Sequence, residues 1–159
     1  MSIRTFISQF FFRENLGFNI RNLSYLPRWI VVSIDLFVLV ISFLITKLMI
    51  NGMGLLFIYS TSKFFYFSML LGFNMVTFWV FRTYAGIIRH SSYTDAIKLL
   101  FSQLSVLVFF IFLNFGVEYF FDRRFFLTTG LFIFMVLSFC GLFLYRVAVK
   151  QVFEYYFAE

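Results

Sequence analysis

Trp29-Ile30-Val31-Val32-Ser33-Ile34-Asp35-Leu36-Phe37-Val38-Leu39-Val40-Ile41-Ser42-Phe43-Leu44-Ile45-Thr46-Lys47-Leu48-Met49-Ile50 is the stretch that decides the fold class. Its apolar run is continuous and is interrupted only by Asp35 and Lys47. Crossing the roughly 30 Å hydrocarbon layer takes about 20 mostly apolar helical residues. A membrane-spanning strand would alternate apolar and polar residues, which this stretch does not do. Its reading is therefore a transmembrane helix over about 29–50.

Three more runs of this kind follow, over about 64–81, 99–119 and 125–146. The expected fold is all-α: an integral membrane four-helix bundle over residues 25–159. The whole chain agrees. Of its 159 residues, 62% are hydrophobic and only 13% charged, with 29 Phe and a single Pro. A soluble domain carries about 45–50% apolar and about 25% charged residues, so a soluble enzyme, a disordered tail and a disulfide scaffold are excluded. The mean hydropathy of +0.94 points the same way. The only cysteine, Cys140, lies inside an apolar run and has no intrachain partner.

Local signals set provisional boundaries. Pro27 before Arg28-Trp29 suits a helix start, because Pro is tolerated in a first turn. Asn51-Gly52-Met53-Gly54 breaks the chain after the first span. Ser92-Tyr93-Thr94-Asp95 has capping-box spacing, with Ser92 as N-cap and Asp95 at N3. Glu118 to Arg124 reads as a short polar turn. Ahead of the first span, Ile3, Phe6, Ile7, Phe10 and Phe11 recur at helical spacing, with Arg4, Ser8, Gln9 and Arg13 between them. Residues 1–24 are thus expected to form an amphipathic helix lying in the headgroup region. They lack the pattern of a cleavable signal. Ser68-x-x-x-Gly72 would permit close helix packing, within the chain or in a homo-oligomer.

The net charge of +6 comes without the dense basic run that a nucleic-acid surface needs, so no nucleic-acid partner is expected. Four spans put both termini on one side. That side carries nine basic residues (Arg4, Arg13, Arg21, Arg28, Arg82, Arg89, Lys98, Arg146 and Lys150). The other side carries four: Lys47, Lys63, Arg123 and Arg124. The imbalance predicts cytoplasmic termini.

Catalytic motifs are weak. Tyr59-Ser60-Thr61-Ser62-Lys63 matches a YxxxK pair but falls in a predicted loop, with no nucleotide-binding fold around it. Gly52-Met53-Gly54 lacks the third glycine of a dinucleotide fingerprint. His90 is the only histidine, so neither a His-based triad nor a metal site is expected within this chain. Asp35 is the one clearly polar residue placed inside a span, which argues against a transporter. Arg82, Arg89 or Arg146 could reach it, and Asp35 with Arg146 is the candidate intramembrane ion pair, either fixing helix packing or forming part of a polar site for a phosphate-bearing lipid or a proton relay. The segment Arg82-Thr83-Tyr84-Ala85-Gly86-Ile87-Ile88-Arg89-His90-Ser91-Ser92-Tyr93 reads as an interfacial elbow of aromatic, basic and hydroxyl residues. Arg82, Tyr84, Arg89 and His90 are candidate interfacial, phosphate-contacting residues. Generic anchoring and a specific phosphate or docking site remain open alternatives for that segment.

The same segment, followed by Asp95 and an apolar span, resembles the cytoplasmic loop of the membrane-bound nucleotide-sugar 4,6-dehydratase/epimerase family of bacterial polysaccharide biosynthesis. Leu26-Pro27-Arg28-Trp29-Ile30-Val31-Val32-Ser33-Ile34-Asp35 resembles that family's first membrane helix. Leu144-Tyr145-Arg146-Val147 to Lys150 resembles its fourth. The resemblance implies a non-catalytic anchor domain in the bacterial inner membrane, serving capsule or O-antigen synthesis. It also implies that the NAD(P)-dependent sugar-modifying part is missing from this chain, which would be a truncated product, a fragment or a split subunit. No catalytic residue and no cofactor are then expected here. The expected partners are the lipid bilayer, a catalytic domain or subunit, and other glycan-assembly proteins. Similar four-helix domains precede polyprenyl-phosphate sugar-phosphate transferases, and that reading stays open beside a small transporter or flippase.

Overall fold

The computed structural model describes residues 28–59, 61–83 and 92–157. Within them four helices follow one another: α1 (Arg28–Gly52), α2 (Lys63–Val80), α3 (Ser92–Phe121) and α4 (Thr128–Phe157). All four are long and apolar enough to cross a membrane. In lipid the backbone must satisfy its own hydrogen bonds, so even a Val/Ile-rich run such as α1 becomes helical. The hydroxyls carried into the spans follow the same rule. Ser42 donates to the carbonyl of Val38 at 2.9 Å and Thr46 to that of Ser42 at 2.8 Å. The chain is a multi-pass helical membrane protein.

Each helix packs on the next, and α4 closes the ring against α1. The side chains turned inward are apolar and often aromatic, among them Leu39, Leu70, Phe78, Phe110, Phe134 and Leu142. The outer surface is apolar as well: Phe112 is 72% exposed, Leu48 70% and Phe37 63%. A helix apolar on all sides is at home in a core or a bilayer. The N-terminal amphipathic segment expected over 1–24 lies outside the described residues.

The boundaries depart from the sequence-based spans at identifiable places. α1 runs through Asn51 and Gly52, and the break comes at Gly54, which has φ +74. Ser92 is itself the first residue of α3, which places Asp95 in its first turn. Glu118 is still helical, so the polar turn begins only at Asp122. α4 starts at Thr128 rather than about Phe125, because the residues ahead of it are used differently. Ile58 and Phe126 form an isolated antiparallel bridge. Tyr59 N donates to Phe125 O and Leu127 N to Phe57 O, each at 3.0 Å. On the other side of this link, the Asn114 side chain accepts from Phe125 N at 3.0 Å and donates to Phe126 O at 2.6 Å. Extended backbone in an apolar setting is thereby satisfied. Phe126 is 1% exposed, and its ring lies 5.4 Å from that of Phe110 and 5.9 Å from those of Phe57 and Tyr66. This is the bridged end of the bundle. At the far end α4 continues beyond Arg146 to Phe157, with no Gly or Pro to stop it.

The close approach of α1 and α4 rests on two glycines. A Cβ on Gly130 would lie 2.6 Å from Cδ1 of Ile50 and 2.7 Å from Cε2 of Phe57. One on Gly141 would lie 2.8 Å from Cγ1 of Val38. Gly72, by contrast, faces open space, and Ser68 is exposed on the same helix. The Ser68-x-x-x-Gly72 pair therefore takes no part in packing among the described residues of this chain.

Gly130→Ala should destabilise the bundle by about 1–3 kcal/mol, because the buried Phe57 ring must move. Gly72→Ala should be neutral or slightly stabilising. Unfolding curves of the two variants in the same detergent provide the comparison.

Candidate functional site

At the end opposite the bridge, one buried arginine gathers three parts of the chain. Arg146 of α4 is 7% exposed and Asp35 of α1 is 0% exposed. Nη2 of Arg146 donates to Oδ2 of Asp35 at 3.1 Å. Its Nη1 donates to the carbonyl of Thr83, just past α2, at 2.9 Å. Among the described residues, neither Oδ1 of Asp35 nor Nε of Arg146 meets a donor or acceptor at hydrogen-bond geometry. A buried pair of this kind gains little net energy over an apolar replacement, but removing one member leaves an uncompensated charge.

Thr83 is held by the end of α2. Arg82 N donates to Trp79 O at 3.2 Å and Thr83 N to Phe78 O at 3.1 Å. These two bonds form a Schellman cap, whose left-handed position usually belongs to glycine. Here Arg82 occupies it, with φ 49. The Thr83 hydroxyl also donates to Phe78 O, at 3.3 Å. Arg82 itself is exposed. Tyr84, Arg89 and His90 lie outside the described residues.

Between α3 and α4, beside Arg146, lies a small cavity of about 30 Å³. It is lined by Asp95 and Leu99 of α3 and by Phe143, Arg146 and Lys150 of α4. Such a space has room for ordered water, with polar groups to bind it. Of the residues in the YxxxK match, Tyr59 and Lys63 are both exposed at the opposite end of the bundle. Among the described residues no three His, Cys, Asp or Glu side chains come together to hold a metal.

Sequence reasoning missed a second polar assembly, at mid-depth. Asn74 of α2 donates to Leu70 O at 2.8 Å, and its Oδ1 accepts from Nε2 of Gln103 on α3 at 3.1 Å. Oε1 of Gln103 accepts from the Ser138 hydroxyl of α4 at 2.9 Å. Beside this chain, Ser102 of α3 donates to Thr77 of α2 at 3.1 Å, and Thr77 donates to Asn74 O at 2.8 Å. All five residues are buried. Asp35 is therefore not the lone intramembrane polar residue. The legible signal was an amide in each of two apolar runs, Asn74 and Gln103. These amides and hydroxyls answer one another, which suits helix cohesion in lipid.

No protein-family model, no curated protein and no solved structure matches the chain.

Arg146→Met should cost about 3–5 kcal/mol by stranding the buried Asp35 carboxylate, and the double variant Asp35→Leu/Arg146→Met should recover much of that loss. Gln103→Leu should cost less, about 0.6 kcal/mol and at most about 1.7 kcal/mol, the average and the maximum found for interhelical hydrogen bonds in a membrane protein. Detergent-unfolding midpoints of the four proteins check both statements.

Proposed function

We propose that the chain is a non-catalytic membrane-anchor domain of the kind found in membrane-bound nucleotide-sugar dehydratases and epimerases. It would hold the sugar-modifying, NAD(P)-binding part at the inner leaflet of a bacterial cytoplasmic membrane, with both termini in the cytoplasm. The observation that supports this reading is a convergence. The three sequence segments that resemble the family supply Asp35, Thr83 and Arg146, and these three residues are joined by two hydrogen bonds. In this reading the chain binds lipid and a catalytic domain or subunit, and takes no nicotinamide cofactor of its own. The same arrangement would serve the membrane domain of a polyprenyl-phosphate sugar-phosphate transferase, which differs in the catalytic part that it carries.

A transporter is the competing reading, since buried amides and hydroxyls do occur in several helices. Their bonds run across the bundle from α2 through α3 to α4 and occupy one another. A solute path would need polar groups free to exchange with cargo.

Genetic context tests the anchoring reading. The reading frame past residue 159, or an adjacent gene, should encode a strand–GxGxxG–helix unit; its absence from both would overturn the proposal. The purified chain, given UDP-N-acetylglucosamine and NAD, should show no turnover above background. For the orientation, a cysteine placed at Lys63 or Arg124 in a Cys140→Ser background should react with an impermeant maleimide from outside intact cells. One at Lys150 should react only after lysis.

A further inference from the structure

We infer that Arg82 is a built contact for the phosphate of an anionic membrane lipid, held at headgroup depth by the Asp35–Arg146–Thr83 clamp. The inference requires only that the bundle span a bilayer and goes beyond the anchoring role.

Two non-glycine residues of the described chain have positive φ: Asp122 at 52 and Arg82 at 49, each just past the end of a helix. Asp122 needs no special account, because a short polar side chain tolerates the left-handed region. Arginine has no such excuse, and its Cβ crowds the following carbonyl. Glycine would close α2 with the same two backbone bonds and without that cost. The favourable action of a cation on a helix C-terminus does not explain the choice either, since an arginine one residue earlier would have it without strain.

The surroundings make the strain sustainable. Thr83, next in the chain, is fixed from both sides: its N–H and hydroxyl bind Phe78 O, and its carbonyl accepts from Arg146. Arg146 is in turn held by Asp35. Arg82 thus has little freedom to relax, while its side chain is exposed and has no ion pair among the described residues. Strain kept in place by its neighbours is a mark of a functional position.

The depth identifies the ligand class. Trp29 is 83% exposed, Trp79 76% and Tyr93 77%, and all three stand at this end of the bundle. Indole and phenol rings in such a belt mark the headgroup layer. Lys98 of α3 and Lys150 of α4 belong to the same end. A guanidinium there meets lipid phosphate, to which it can donate two parallel hydrogen bonds, and an anionic headgroup such as phosphatidylglycerol offers that phosphate without the competing choline cation of phosphatidylcholine.

The test uses the full chain in vesicles of phosphatidylcholine alone or mixed with phosphatidylglycerol, with thermal unfolding as readout. Three variants separate strain from charge: Arg82→Gly, Arg82→Gln and, as a basic control at the same end, Lys98→Gln. In phosphatidylcholine, Arg82→Gly should melt above wild type, whereas Arg82→Gln should not. Phosphatidylglycerol should raise the midpoint of wild type and of Lys98→Gln, and both Arg82 variants should lose most of that rise. Inorganic phosphate should not substitute for the lipid. The proposal falls if Arg82→Gln keeps the rise, if Lys98→Gln loses as much as the Arg82 variants, if Arg82→Gly gains no stability, or if inorganic phosphate alone reproduces the shift.

Discussion

Hydrocarbon offers a polar group no partner, and this constraint decides where the buried amides, hydroxyls and charges of the bundle stand. The backbone meets it by folding into helices. Isolated hydroxyls meet it by bonding back to their own helix, as Ser42 and Thr46 do. An amide carries both a donor and an acceptor, and the carbonyls of its own helix can take only the donor, as Leu70 O takes that of Asn74. Asn74 and Gln103 are therefore turned toward each other, and that turn sets the rotation of α2 against α3. Ser138 extends the constraint to α4. The ionic pair does the same for α1, which Arg146 reaches through Asp35. Apolar packing holds the helices together, but any two Phe-rich faces could meet in several registers. The polar pairs remove that freedom, and Gly130 and Gly141 let α1 come close enough for Asp35 to be reached.

The fold class was legible because a continuous apolar run about as long as the bilayer is thick has one stable outcome. The ion pair was legible by depth: Asp35 lies early in the first span and Arg146 late in the fourth, so antiparallel neighbours bring them level. Other features depended on rotation, which a run of apolar letters does not encode. Ser68-x-x-x-Gly72 has the spacing for close packing, yet it faces away from the bundle, whereas Gly130 and Gly141, with no such motif, face α1. The network around Gln103 was hidden for a related reason. A single amide in a Phe- and Leu-rich stretch scarcely lowers its hydropathy, and its importance comes from a partner on another helix. The start of α4 was misplaced because Phe125 to Leu127 is as apolar as the helix that follows. Only the link to Phe57 and Tyr59 and the grip of Asn114 make it extended.

The two ends of the bundle solve different problems. At the bridged end the connecting segments fold inward, and Phe126 fills the space between Phe57, Tyr66 and Phe110. That end is closed by apolar contact and backbone bonds. The other end is held by charge, and its helices do not stop together. α2 ends at Val80, where the cap that follows it meets Arg146, yet α4 runs on to Phe157. At 1.5 Å per residue, α4 thus extends about 16 Å past the level at which α2 finishes.

This asymmetry bears on what the bundle can be asked to do. A conduit needs an interior that changes partners, and here the mid-depth amides and hydroxyls are committed to one another across three helices. An anchor needs the reverse: a rigid interior and a defined surface on the side where its cargo works. The clamp of Asp35, Arg146 and Thr83 sits at the base of the α4 extension and joins it to α1 and to the end of α2. The buried charge thus fixes the end of the bundle from which α4 extends, while the amides fix its mid-depth.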